Sequence, residues 1–203
     1  MATATVKGID VSHYQGTVNW PQVKAAGIKF AFAKATEGMT WIDPEFVTNW
    51  AGMKAAGILR GAYHFFEPDD DPGQQAQLFL ATIQLDSGDL PPVLDVETAA
   101  ATSDDLWQGV QSWLDTVQAA TGLPPILYMS PGFANENDAP ASLITYPLWI
   151  AEYGVAEPTL PKGWSNWLIW QSSQTGTVEG VTGSVDLDQV NGSLVTLQAL
   201  VKT

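Results

Sequence analysis

The stretch LPPVLDVET, residues 90–98, ends an apolar run with two acids one residue apart, Asp95 and Glu97. Residues i and i+2 of a strand share a face, about 6–7 Å apart. Two like charges so placed do not stabilise a buried strand. They suit a reaction that needs one carboxylic acid and one carboxylate. Cleavage of a glycosidic bond is such a reaction: one group protonates the leaving oxygen and the other acts as base, nucleophile or charge stabiliser. Closeness helps, because each ionised acid raises the pKa of its neighbour.

Further polar and aromatic groups stand at the ends of other apolar runs. They are Asp10, Lys34 with Glu37, Tyr63 with His64, Tyr128, Glu152 with Tyr153, Trp170 with Gln171, and Asp186. Several have bland readings. Lys34 and Glu37 can simply pair with each other, and His64 can be a satisfied core histidine. Asp188 shares a strand face with Asp186, so spacing does not choose between them. Of nine tryptophans, Trp50, Trp107 and Trp113 fall on helical patterns and are expected to pack. Trp149, Tyr153 and Trp170 lie near strand ends, where flat rings can stack on sugars.

Other chemistries are poorly supplied. The two histidines, His13 and His64, form no HxH or HExxH pattern, and there is no GxSxG, P-loop or EF-hand spacing. Cysteine is absent, which excludes disulfides and thiolate chemistry. No metal and no cofactor is expected. The net charge is −14, from eight basic and twenty-two acidic residues, with Arg60 the only arginine. Nucleic acid and anionic membrane surfaces are therefore not expected partners. Asp69, Asp70 and Asp71 read as solvated surface. No apolar run approaches the roughly 20 residues of a membrane helix, and the opening MATATVKGID lacks a signal peptide's apolar core.

Positioning these groups requires a scaffold, and the pattern indicates one. KAAGI occurs at Lys24–Ile28 and again at Lys54–Ile58, each time before an apolar run. Glycine after two alanines ends a helix well, so the repeat reads as helix, stop, strand. Asp43 is placed to cap a helix beginning at Pro44, and Ser103 to cap one with Asp104 and Asp105 in its first turn and Gly122 at its end. A third helix is expected around Gln74 to Gln84. The strand candidates are VKGIDVS, KFAFAKAT, LRGAYHFF, PPVLDVE, PPILYMS, PLWIAEY, WLIWQSS and SVDLDQV. The first five alternate with helices, which implies a parallel sheet, and about eight such strands suggest a closed barrel. The strand ends then converge on one mouth. At 203 residues one domain spanning 1–203 is the simplest reading.

The ordered set GIDVSHYQG, FAFAKATEG, GAYHFF, PVLDVE, LWIAEY, WQ and VDLDQ resembles glycoside hydrolase family 25, the Chalaropsis-type muramidases, over essentially the whole chain. The resemblance implies a flattened, irregular α/β barrel with eight strands and fewer than eight helices. It implies hydrolysis of the β-1,4 bond between N-acetylmuramic acid and N-acetylglucosamine in bacterial peptidoglycan. The family's catalytic glutamate falls on Glu97 and its companion aspartate on Asp95. Its other active-site acids fall on Asp10 and Asp186. Substrate-binding positions fall on Lys34, Glu37, Tyr63, Tyr128, Trp149, Tyr153, Trp170 and Gln171. The expected partner is the glycan strand of the bacterial wall, met by a monomer outside the cell or after lysis, without a separate wall-binding domain. Two alternatives stand beside this: a non-catalytic glycan-binding barrel, and a hydrolase of chitin-like chains. The longer DxxDxDxE run of family 18 chitinases is absent.

Overall fold

The structure, a computed structural model, describes residues 5–203. Each of the eight apolar runs contains a strand: β1 (Lys7–Val11), β2 (Phe30–Glu37), β4 (Leu59–Phe65), β5 (Val93–Asp95), β6 (Ile126–Met129), β7 (Leu148–Ala151), β8 (Ile169–Gly176) and β9 (Val185–Val190). They close into a barrel in the order β1-β9-β8-β7-β6-β5-β4-β2, with β2 pairing back to β1. A two-residue strand, β3 (Trp41–Ile42), hairpins onto the end of β2 and was not legible as an apolar run.

The sheet is not wholly parallel. β9 runs antiparallel to both β8 and β1. Only a short loop joins β8 to β9, and a parallel return would need a crossover of a dozen residues or more. Asp186 therefore lies near the start of its strand and still reaches the mouth.

Among the described residues six α-helices flank the barrel: α1 (Trp20–Ala25), α2 (Phe46–Ala55), α3 (Pro72–Thr82), α4 (Ser103–Thr121), α5 (Pro131–Glu136) and α6 (Leu194–Gln198). Both KAAGI copies end helices as expected, with Gly27 and Gly57 at positive φ. Two caps differ from expectation. Thr102, not Ser103, accepts from the Asp105 N–H at the start of α4. Asp43 does not cap α2; its buried carboxylate accepts from the Glu45 N–H and from the backbone and ring of His13. Asp71, expected on a bland surface, caps α3 through the Gln74 N–H.

Period-two alternation sorts side chains into two apolar layers. Phe30, Phe32, Val93, Ile126, Trp149 and Ile169 fill the barrel. Ala31, Ala33, Leu94, Leu127 and Ile150 face outward, against Met53, Phe79, Trp113 and Leu114 of the helices. The two phenylalanines occupy space beside glycines on neighbouring strands. A Cβ on Gly8 or Gly61 would stand 2.2 Å from the ring of Phe30 or Phe32. Aromatic rings thus plug the lower barrel and leave the upper end for polar groups.

Candidate active site

The barrel mouth gathers one or two side chains from nearly every strand. A cleft of about 180 Å³ is lined by Asp10 of β1, Lys34 of β2, Tyr63 of β4, Asp95 of β5, Tyr128 of β6, Trp149 of β7 and Gln171 of β8, with Glu97 just beyond β5. Asp186 is the cross-strand partner of Asp10. This convergence follows from register: each residue is at or near the mouth-side end of a strand, with its side chain turned inward.

Gln171 organises one wall. Its carbonyl oxygen accepts from the Tyr128 hydroxyl at 2.9 Å and from the Tyr153 hydroxyl, while its amide nitrogen donates to Asp10 at 2.7 Å. Three partners leave the amide one orientation. Lys34 is buried and ion-paired with Glu37, and its ammonium lies 4.7 Å from the Phe65 ring centroid and 5.2 Å from that of Trp41. Glu37 thus holds Lys34 from outside the cleft lining.

Asp95 and Glu97 differ in environment. Asp95 is buried and Glu97 is exposed. Burial pushes the Asp95 carboxyl well above the ordinary range. The charge of Glu97 and a side-chain hydrogen bond to it act in the same direction, and Lys34 opposes them. Asp10 is also pushed up, by burial and then by the charges of Asp188 and Asp186. Burial raises Asp186 as well. Tyr63 and Tyr128 are pushed above the usual phenol range by burial and the acids around them, so both stay neutral donors. Among the described residues, no three or more His, Cys, Asp or Glu side chains are arranged to hold a metal ion.

Several expected groove residues stand elsewhere. Trp170 is not in the cleft. It alternates with Ile169 and Gln171 along β8, so its ring turns outward into the layer beneath the helices, and its indole N–H donates to the Glu152 carbonyl. Trp149 does line the floor, but at 2 % exposure it offers no free face to a sugar. Its indole N–H donates to Asp188 at 3.1 Å. Tyr153, 40 % exposed, keeps an open ring at the rim. His64 is a core residue. It bonds to Thr36 and Gln75, stacks on Trp113, and burial lowers its pKa to about 4.

Sequence reasoning missed Tyr14. It lines the cleft and is 82 % exposed, on a 3-10 turn over His13–Gln15 that a Ser12–Gln15 capping box secures. Its position four residues after Asp10, in the loop leaving a strand end, was the available signal.

Comparisons with known proteins agree with this geometry. The model of the family described as Glycosyl hydrolases family 25 matches residues 9–181. Lysozyme M1 of Streptomyces globisporus is 38 % identical over 98 % of this chain and 72 % of its own. The protein YegX of Escherichia coli K12 is 40 % identical over 98 % of this chain and 75 % of its own. The crystal structure of the bacterial lysozyme from Streptomyces coelicolor superposes with a TM-score of 0.92 at 36 % identity, covering 98 % of each chain. By family model, sequence and barrel alike, the chain belongs to glycoside hydrolase family 25.

Proposed function

We propose that the enzyme is a muramidase, hydrolysing the β-1,4 bond between N-acetylmuramic acid and N-acetylglucosamine in bacterial peptidoglycan, with Glu97 as general acid. The observation that carries this is the Asp95–Glu97 pair: one buried carboxyl and one exposed carboxyl, two residues apart at the edge of a cleft. The likeness to lysozymes of two Streptomyces species supports the substrate class.

Glu97 alone of the pair is accessible to a glycosidic oxygen, so it delivers the proton. Asp95 serves as the charged partner, with Lys34 favouring its ionised form. It then steadies the positive charge growing at the sugar carbon or orients the N-acetyl group for internal attack. Glu97, now a carboxylate, activates water. Tyr128 and Tyr153 hold Gln171, and Gln171 holds Asp10, so this wall does not reorganise during the reaction. The open ring of Tyr153 stacks on a sugar.

One catalytic domain, acting as a monomer on wall glycan outside the cell or after lysis, accounts for these residues. No helix among those described is long and apolar enough to cross a membrane. The charge of −14 offers no attraction to an anionic wall or to nucleic acid.

The test is digestion of purified peptidoglycan, with fragments identified by mass spectrometry and Glu97→Gln run in parallel. Reducing muramic acid ends, lost in the variant, are expected. Equal fragments from both proteins would move the acid to another residue. Cleavage of chitin oligomers in preference to peptidoglycan, or wall binding with no new ends, would overturn the reading.

A further inference from the structure

Asp43 is a buried acid that the mechanism above does not use. It stands just after the β3 hairpin. Its side chain has no exposed surface, and its backbone N–H donates to the Ala35 carbonyl of β2 at 3.0 Å. Three donors converge on its carboxylate. The Glu45 N–H reaches Oδ1 at 2.9 Å, and the backbone N–H and the ring Nδ1 of His13 each reach Oδ2 at 2.9 Å. An ionised carboxylate only accepts, so Nδ1 carries the hydrogen in this contact.

Two of the three donors belong to one residue far away in the chain. A local turn accounts for the Glu45 bond; it does not account for a two-point grip on His13. What the grip holds is the turn His13–Gln15. The other end of that turn is fixed by Gln15, whose side chain accepts from the Ser12 N–H at 2.9 Å and donates to the Ser184 carbonyl at 3.3 Å. Between the two anchors stands Tyr14, which lines the cleft with its ring open to solvent. Its ring centroid lies 4.1 Å from that of His13, and the imidazole in turn meets Trp41 near edge-on at 5.0 Å. An exposed aromatic on a turn pinned at both ends has little freedom left to lose when a ligand arrives, and preorganisation of that kind strengthens binding.

We propose that Asp43 is a positioning residue: through His13 it fixes the turn so that Tyr14 stands as a preformed sugar-stacking wall of the cleft. Neither Asp43 nor His13 is among the residues lining the cleft, so the role lies in binding the glycan and not in breaking its bond. The inference rests on the muramidase reading for the identity of the ligand, a wall glycan. The grip itself is a property of the free protein.

His13 is the place to test it, because its side chain is 30 % exposed and its replacement does not open the core. His13→Phe keeps an aromatic ring beside Tyr14 and Trp41 and loses the bond to Asp43. His13→Asn loses the ring and keeps a side-chain N–H close to the Nδ1 position. Both are assayed on peptidoglycan beside Asp43→Ala, Tyr14→Ala and the double variant His13→Phe/Tyr14→Ala, and wall binding is measured with Glu97→Gln added to each. His13→Phe and Asp43→Ala should raise KM and weaken binding by about threefold to fivefold, with kcat within about twofold. His13→Asn should stay within about twofold of wild type in both. The double variant should bind no more weakly than Tyr14→Ala alone, because the grip acts through that ring. His13→Phe equal to wild type would overturn the proposal, as would His13→Asn as weak as His13→Phe, additive losses in the double variant, or a fall in kcat at unchanged KM. If Asp43→Ala fails to fold, the His13 variants decide. If wild type neither cleaves nor binds peptidoglycan, the muramidase reading fails and the choice of ligand with it. Backbone NMR relaxation at Tyr14 then judges the grip: the turn should be rigid in wild type and loosened in His13→Phe, and equal rigidity in the two would overturn it.

Discussion

The two ends of the barrel treat charge in opposite ways. At the base, Arg60 is buried and fully engaged. Its guanidinium donates to both oxygens of Asp89 at 2.7 and 2.9 Å, to Asp86 at 3.0 Å and to the Trp50 carbonyl at 2.9 Å, and it stacks 3.9 Å from the Trp50 ring centroid. At the mouth, Asp10, Asp95, Asp186 and Asp188 surround a cleft with Lys34 as its nearby cation, itself paired to Glu37. The base uses charge to hold the chain together; it ties β4 to the segment before β5. The mouth accumulates uncompensated acid at a cost in stability, which is the mark of a site arranged for chemistry. One protein therefore has a charge cluster whose loss should unfold it and another whose loss should stabilise it.

Charge-removing substitutions sharpen the contrast most. Glu97→Gln should lower kcat on peptidoglycan by about 10²–10⁴-fold, the usual worth of a general acid, while the melting temperature stays level or rises. Arg60→Met should do the reverse. Removing one partner of a buried ion pair costs about 3–5 kcal/mol, measurable by urea denaturation, and the folded fraction should keep its kcat. An Arg60→Met protein as stable as wild type would break the comparison.

The pH dependence of stability separates the two ends next. Asp10, Asp95 and Asp188 have raised pKa values in the folded state. The folded protein binds their protons more tightly than the unfolded chain does. Stability from these acids is full below the unfolded carboxylate range and is lost as pH rises through the raised values. Asp86 at the base is shifted down, by the hydrogen bond and charge of Lys54 and then by Arg60. Its contribution is present above the unfolded range and lost as pH falls. Asp10→Asn should flatten the alkaline side of a melting profile, and Asp86→Asn the acid side. His64 adds a third signature. With its pKa lowered to about 4, it favours the fold above pH ~6.5 and loses roughly 3 kcal/mol as pH falls through that window. A ring NMR titration showing a neutral imidazole at pH 5 would check it.

The smallest expected effect lies at the rim. Tyr14 is exposed and makes few contacts that stabilise the fold, so Tyr14→Ala should leave the melting temperature within a degree or two. Loss of one stacking face should raise KM by about threefold to tenfold with kcat within about twofold. A change in kcat without a change in KM would place Tyr14 inside the catalytic machinery instead.

Much of this was legible in the sequence because apolar runs and one short repeat carried it. Short apolar runs located the eight barrel strands, and the polar groups at their ends marked the mouth. The KAAGI repeat marked two helix ends because glycine tolerates the backbone angle that a helix stop requires. The failures have specific causes. Trp170 and Gln171 are adjacent, so alternation put one on each face, and reading both into the groove ignored that rule. Asp43 has the composition of a helix cap, but α2 begins only at Phe46; Oδ1 of Asp43 closes a turn onto the Glu45 N–H, and Oδ2 is taken by the distant His13. β3 is too short to show a period. Tyr14 lies in a turn, where no period exists.

By itself the sequence determined which residue types are present, the order of strands and helices, and the one-residue spacing of Asp95 and Glu97, because these follow from local backbone geometry. Only the tertiary structure decided which acids meet. Asp10 and Asp186 are far apart in the chain, and they become neighbours because β9 turns back antiparallel and pairs with β1 to close the barrel. Burial was also decided there. Asp95 and Glu97 look alike in a string of letters, and closure of the barrel is what leaves one in water and the other beneath the rim.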